Sequence, residues 1–306
     1  MRPAAALFLP LLVSVVAGCG GSGPAAGDTK ASNPKPGSLE ALWRAPGEDV
    51  AVVAGTSDYE PGRNRVSFLV VDKSSRLITT PTARVWIARD LKQQPFLQTT
   101  ARSERIGVPG GATADAGSIY VAHVDLPDPG KYWLLAEPVG PKAPIQAIGN
   151  VVVRGRTMAP GVGDRALPSR TPTLASVHGD HAAVTTSKRP DLALYRTSVA
   201  QALGAKQPFV LSFATPQYCK SRTCGPVVDV VSAVRKRLAG SGVTFIHVEI
   251  YEGNDPANGP NRWVEEWKLP TEPFTFVVDR GGVIRERFEG AFSVAELTTA
   301  VERVAS

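Results

Sequence analysis

Short apolar runs, each four to six residues long, recur through the first half of the chain. Val50 to Val53, Val66 to Val71, Ala83 to Ala88, Ser118 to His123, Tyr132 to Ala136 and Ile148 to Val153 read as strands. Turn residues separate them, at Pro61-Gly62, Pro109-Gly110-Gly111, Pro129-Gly130 and Gly140-Pro141. Strands at this spacing predict an all-β sandwich over residues 38–155. The pattern then changes. From Met158 to Asp191 the chain is rich in Pro, Gly, Ser and Thr and reads as a linker, placed at residues 156–190. After it, helical and strand periods alternate. Leu194, Val199 and Leu203 predict a helix that Gly204 stops, and Phe209 to Phe213 a strand covered on both faces. Val227, Val231, Val234 and Leu238 share one helical face, with Arg235, Lys236 and Arg237 at the end where the helix dipole favours cations. Val243 to Tyr251 predicts a second buried strand, parallel to the first. Asn261 to Lys268 predicts a short helix. Phe274 to Val278 and Val283 to Phe288 predict a hairpin around Asp279-Arg280-Gly281-Gly282. A closing helix is expected from Ser293, with Glu296 completing a capping box.

The candidate chemistry lies between the first buried strand and the helix after it. Cys219 and Cys224 fall in that loop, and Gly225-Pro226 opens the helix. A thiol at a helix N-terminus meets the positive end of the dipole, which favours its thiolate. A second thiol close by is able to resolve a mixed disulfide, so the segment reads as a thiol–disulfide exchange site.

Phe213-Ala214-Thr215, Tyr218-Cys219, Cys224-Gly225-Pro226 and the stretch Pro273 to Gly282 together resemble the thioredoxin-like superfamily over residues 191–306. The resemblance implies an α/β thioredoxin-like fold and a redox pair with no organic cofactor. It also implies a cis peptide bond at Pro273, and a substrate groove lined by Glu272, Pro273 and Tyr218. Protein thiols and disulfides would be the partners. The spacing departs from the family's C-x-x-C: this pair is C-x4-C. If Tyr218-Cys219 is aligned, Cys219 attacks and Cys224 resolves. If Cys224-Gly225-Pro226 is aligned, Cys224 comes first. The family's buried acid on the strand before the site is also missing, with Leu211 and Ser212 in that region. In the N-terminal part, Asp128 to Tyr132 resembles the turn-into-strand corner of immunoglobulin-like domains, in which a tyrosine bonds back to the backbone. The expected fold class is therefore two domains, an immunoglobulin-like sandwich followed by an α/β thioredoxin-like domain. Trp86 and Trp133 are expected in the core of the first, which would act as a spacer or engage a partner protein.

The beginning of the chain reads as a targeting segment. Arg2 precedes an apolar stretch, Ala4 to Ala17, that is short for a transmembrane span. Val16-Ala17-Gly18-Cys19 resembles the lipobox of bacterial lipoproteins. The resemblance implies a signal peptide at residues 1–18, lipidation of Cys19, a flexible tether at 19–37, and anchoring on the outer face of the bacterial cell membrane. Composition sharpens the picture. Of 306 residues 43% are hydrophobic and 20% charged, enough apolar surface for two cores. The net charge of +6 is scattered rather than clustered, which argues against nucleic acid as a partner. There are three cysteines. With Cys19 assigned to lipid, the remaining two share one loop of an exported chain, where disulfides persist. A bridge across so short a loop would add little stability by chain entropy. Redox exchange is therefore favoured over two rivals, a non-catalytic binding lipoprotein with a structural disulfide and a Sco-like copper chaperone. The histidines available to a metal are His247 in the second buried strand and the pair His178 and His181 in the linker. The sharing of a site by these residues is not expected, and no metal is assigned.

Overall fold

Seven strands of the first half close into a barrel. They are β1 (Glu48–Ala54), β2 (Gly62–Asp72), β3 (Thr82–Ala88), β4 (Leu97–Arg105), β5 (Ser118–Leu126), β6 (Gly130–Pro138) and β7 (Ile145–Val153). The order around the barrel is β1-β2-β5-β4-β3-β6-β7, and a parallel pairing of β1 with β7 closes it, with Val50 opposite Ala147. The computed structural model describes residues 33–111, 116–140, 145–218 and 227–305.

Alternation sets the two faces of the barrel wall. Val66, Phe68 and Val70 of β2, Val85 and Ile87 of β3, and Tyr132 and Leu134 of β6 fill the interior. Trp86 and Trp133 lie on the outer face instead. There they pack half-buried against α1 (Leu39–Trp43), whose N-cap Ser38 accepts from the Ala41 amide. The Tyr132 hydroxyl donates to the Asp128 carbonyl at 2.8 Å.

A second sheet of four strands follows, in the order β11-β10-β8-β9. Its strands are β8 (Phe209–Phe213), β9 (Thr244–Val248), β10 (Phe274–Val278) and β11 (Ile284–Glu289). β8 and β9 are parallel, joined through α3 (Val227–Arg237); β10 runs antiparallel to both β8 and β11. Successive side chains of β8 serve opposite faces. Val210 meets the valines of α3 and Leu297, Val301 and Val304 of α5 (Val294–Ala305). Phe209, Leu211 and Phe213 meet Val199 and Ala202 of α2 (Val199–Gly204), Val264 of α4 (Arg262–Glu266) and Trp267. The capping box of α5 is formed: Ser293 Oγ accepts from the Glu296 amide, and the Glu296 carboxylate accepts from the Ser293 amide, both at 3.0 Å.

These findings correct the expected fold class. The N-terminal strands form one closed barrel and not two facing immunoglobulin-like sheets. The chain as a whole is mostly β, a barrel and a second four-stranded sheet served by short helices, and not a sandwich followed by an α/β thioredoxin-like domain. The physical reason lies in β4, for which the hydrophobic pattern gave no strand. β4 pairs with β3 on one side and β5 on the other. Its outward positions Gln98, Thr100 and Arg102 are exposed, and only Leu97 and Ala101 are apolar residues of the interior. A strand so polar escapes a search for apolar runs, yet it joins two sheets into a barrel.

Residues 156–190 hold no strand, but hydrogen bonds pin them along their length. The Gly163 amide donates to Ile284 O, Ala166 to Gly282 O and Leu174 to Tyr195 O. Pro34–Ser306 forms one compact unit, and buried polar groups join the barrel to the second sheet. Arg65 of β2 binds Glu296 of α5, with Nε–Oε1 at 2.7 Å, and donates to Ala291 O; Glu104 of β4 accepts from Ser293 Oγ at 2.8 Å. Among the described residues no helix is long and apolar enough to cross a membrane.

Candidate functional site

Cys219, Cys224 and Cys19 lie outside the described residues. The groups around the cysteine-bearing loop are described, and the sheet explains why they meet. Phe274 of β10 pairs with Phe213 of β8, so the residues just before β10 sit at the end of the sheet at which the chain leaves β8. The peptide bond between Glu272 and Pro273 is cis. The Pro273 carbonyl accepts from the Gly290 amide at 2.9 Å, which ties this loop to the end of β11. Tyr251 bridges it to the cysteine-bearing loop. Its hydroxyl donates to Glu272 Oε1 at 3.2 Å, and its ring meets the Tyr218 ring edge-on, centroids 6.3 Å apart. Burial, and secondarily the Glu272 carboxylate, push the Tyr251 phenol above its usual range. It therefore remains the donor in this bond at neutral pH. Tyr218, Glu272 and Pro273 are thus brought together, with Tyr251 as the link that sequence reasoning missed.

A buried histidine holds Ala214, the residue that follows β8. His247 of β9 is 1% exposed. Its Nε2 lies 3.0 Å from the Ala214 carbonyl and its Nδ1 2.8 Å from the Tyr195 hydroxyl. A carbonyl only accepts, so Nε2 carries the proton and Nδ1 accepts from Tyr195. Burial pushes the imidazole below its ordinary range, more strongly than the nearby Glu249 carboxylate raises it. Both ring nitrogens are engaged within the protein, which leaves neither for a metal. His178 and His181 are exposed in their loop, and among the described residues no group of three or more His, Cys, Asp or Glu side chains has metal-site spacing.

The sign of the pH dependence follows. The folded-state imidazole binds its proton less readily than the unfolded one, so stability is full above the unfolded value. As pH falls below about 6.5 the unfolded chain takes up a proton that the folded chain refuses. Stability is expected to decline with falling pH from that point, and His247→Gln to flatten the decline. His123, also lowered by burial, leaves a residual slope. Urea unfolding between pH 5 and 8 tests this, and an unchanged slope in the variant would exclude His247 as its source.

Glu249, just past β9, is a second group that the sequence did not single out. It is 4% exposed. Its Oε1 accepts from the Thr186 amide at 2.6 Å and the Thr186 hydroxyl at 2.9 Å, and Thr186 Oγ1 accepts in turn from the Gln217 amide at 3.2 Å. Glu249 Oε2 is buried with no partner among the described residues, as is Thr215 Oγ1. A hydrogen-bonded chain therefore runs from the cysteine-bearing loop, two residues before Cys219, to a buried carboxylate. A lone acid inside the run Val243 to Tyr251 was the available signal; burial of such a group is rare unless it is held by hydrogen bonds.

No protein-family model matches the chain, and no curated protein matches it. Among solved structures, about a third of the chain is similar to thioredoxin-family proteins of Chlorobium tepidum. One is a thiol:disulfide interchange protein, 18% identical, with a TM-score of 0.26 over 33% of this chain and 81% of that one. Another is a putative thiol:disulfide interchange protein DsbE, 16% identical, with a TM-score of 0.28 over 34% of this chain and 85% of that one. The PKD domain of the human VPS10 domain-containing receptor SorCS2 is 13% identical, with a TM-score of 0.19 over 45% of this chain and 97% of that domain.

Proposed function

We propose that this chain is an exported thiol–disulfide oxidoreductase, anchored by lipid on Cys19, whose reacting groups are Cys219 and Cys224. The observation that carries the reading is the pairing of Phe274 with Phe213, which brings the Glu272–Pro273 loop to the end of β8 where the cysteine-bearing segment departs. That segment then enters α3, whose N-terminal dipole would favour a thiolate.

In the reducing direction one cysteine thiolate attacks a substrate disulfide. A mixed disulfide forms and the first substrate sulfur leaves as a thiolate, which takes a proton. The second cysteine then attacks the enzyme sulfur of the mixed disulfide. The second substrate thiol leaves, and a Cys219–Cys224 disulfide holds the oxidised state. Two electrons pass to the substrate, and a thiol reductant restores the dithiol. The reverse sequence donates the disulfide.

A redox titration of the full chain in detergent, with thiols read by alkylation and mass, tests the reading. A reversible two-electron midpoint between about −120 and −270 mV is expected, the range of exchange proteins. A midpoint below about −300 mV would instead mark a structural bridge. The mass of the mature N-terminus tests the anchor separately: an unacylated Cys19 removes it without touching the redox reading.

A further inference from the structure

We infer that Glu289 is a positioning residue through which the barrel sets the geometry of the Thr271–Pro273 loop, so that the barrel is a working part of the exchange site. The inference rests on the exchange reading above. Glu289 ends β11 and is 4% exposed. Its carboxylate accepts four hydrogen bonds from two directions. From the barrel come the Ser57 amide and the Asp58 amide, both 2.9 Å from Oε2, and the Ser57 hydroxyl, 2.6 Å from Oε1. From the other side the Thr271 hydroxyl reaches the same Oε1 at 2.7 Å. One buried carboxylate thus holds the barrel turn between β1 and β2 against the residue two places before Pro273.

The barrel side of this clamp is itself held by buried hydrogen bonds. Tyr59 bonds back to Thr56 O at 2.8 Å, Thr56 Oγ1 meets Ser67 Oγ at 2.7 Å, and both residues are buried. The next residue of the loop, Glu272, is held by Tyr251, whose ring contacts Tyr218. A loop held at both Thr271 and Glu272 presents one shape to any extended chain that reaches the residue after Tyr218. Loosening the Thr271 end costs orientation of a large partner, and misplacement on the ångström scale slows a bimolecular step strongly. A small disulfide makes no use of the loop and does not feel the change.

The test uses the full chain in detergent with two probes, a peptide carrying a cysteine–glutathione disulfide and the small reagent hydroxyethyl disulfide. Glu289→Gln places an amide nitrogen, a donor, among four donors. It is expected to slow reaction with the peptide by about tenfold, to leave reaction with hydroxyethyl disulfide within about twofold, and to leave the redox midpoint unchanged. Thr271→Val removes only the loop-side bond and is expected to reproduce the peptide effect, and it serves alone if Glu289→Gln does not fold. Equal loss with both probes, or no loss with either in Thr271→Val, overturns the inference. If the unaltered chain reacts with neither probe, the exchange reading itself fails.

Discussion

Replacement of Cys219 or Cys224 by serine is expected to abolish turnover, by roughly a thousandfold or more, because neither half of the exchange cycle closes without both sulfurs. The two variants should differ in what they accumulate. The one that keeps the attacking cysteine forms a mixed disulfide with the peptide probe and stops there, since nothing displaces the substrate. The one that lacks it forms none. Mass spectrometry after a single addition of substrate separates them, and so decides between the two alignments of the C-x4-C pair. If both variants retain turnover, the pair is not the reacting group and the structural-disulfide reading takes its place. The copper reading gains nothing from His247, whose two nitrogens are spent on Ala214 and Tyr195.

The largest expected loss of stability comes from Asp58→Ala. The Asp58 side chain is fully buried, and its carboxylate accepts from the Met158 amide at 2.9 Å, the Ala159 amide at 3.2 Å and Arg287 Nη2 at 3.2 Å. Arg287 Nη2 also donates to the Asp58 carbonyl, and its guanidinium lies over the Phe274 ring. Truncation leaves a largely buried guanidinium without its counter-charge and two amides without an acceptor. Breaking a buried pair in this way costs about 3–5 kcal/mol. Asp58→Asn keeps an acceptor oxygen and is expected to lose less. Denaturant unfolding gives the difference; a loss under about 1 kcal/mol for the alanine variant would mean that water reaches Arg287 once the carboxylate is gone.

Asp58 and Glu289 also show why the role of the first half was hard to read. From the sequence, the strands of the first half carry no cluster of reactive groups and suggest a spacer or a module that engages a partner protein. Two of the four hydrogen bonds that Glu289 accepts come from backbone amides of one turn, Ser57 and Asp58, and backbone amides leave no mark in a sequence. The same holds for the pinned segment 156–190. Its Pro, Gly, Ser and Thr content reads as a linker, yet its amides are satisfied on Asp58, Ile284 and Gly282 by residues distant in the chain.

The features legible along the chain are local. Apolar runs placed β8, β9, β10 and most barrel strands, because a strand buried on one or both faces must be apolar there. The Ser293–Glu296 spacing announced the start of α5, because a capping box needs only residues three apart. The two cysteines in one loop suggested the chemistry without any coordinates. Closure of the barrel was decided by tertiary structure alone. It depends on the polar strand β4 and on a β1–β7 pairing between segments nearly a hundred residues apart. The groups that surround the candidate site come from two stretches, His247, Glu249 and Tyr251 from one and Glu289 from another, and their partners Tyr195, Thr186, Glu272 and Thr271 are supplied from elsewhere in the chain. A single acid or tyrosine in an apolar stretch has no meaning until the fold brings its partner within hydrogen-bonding distance.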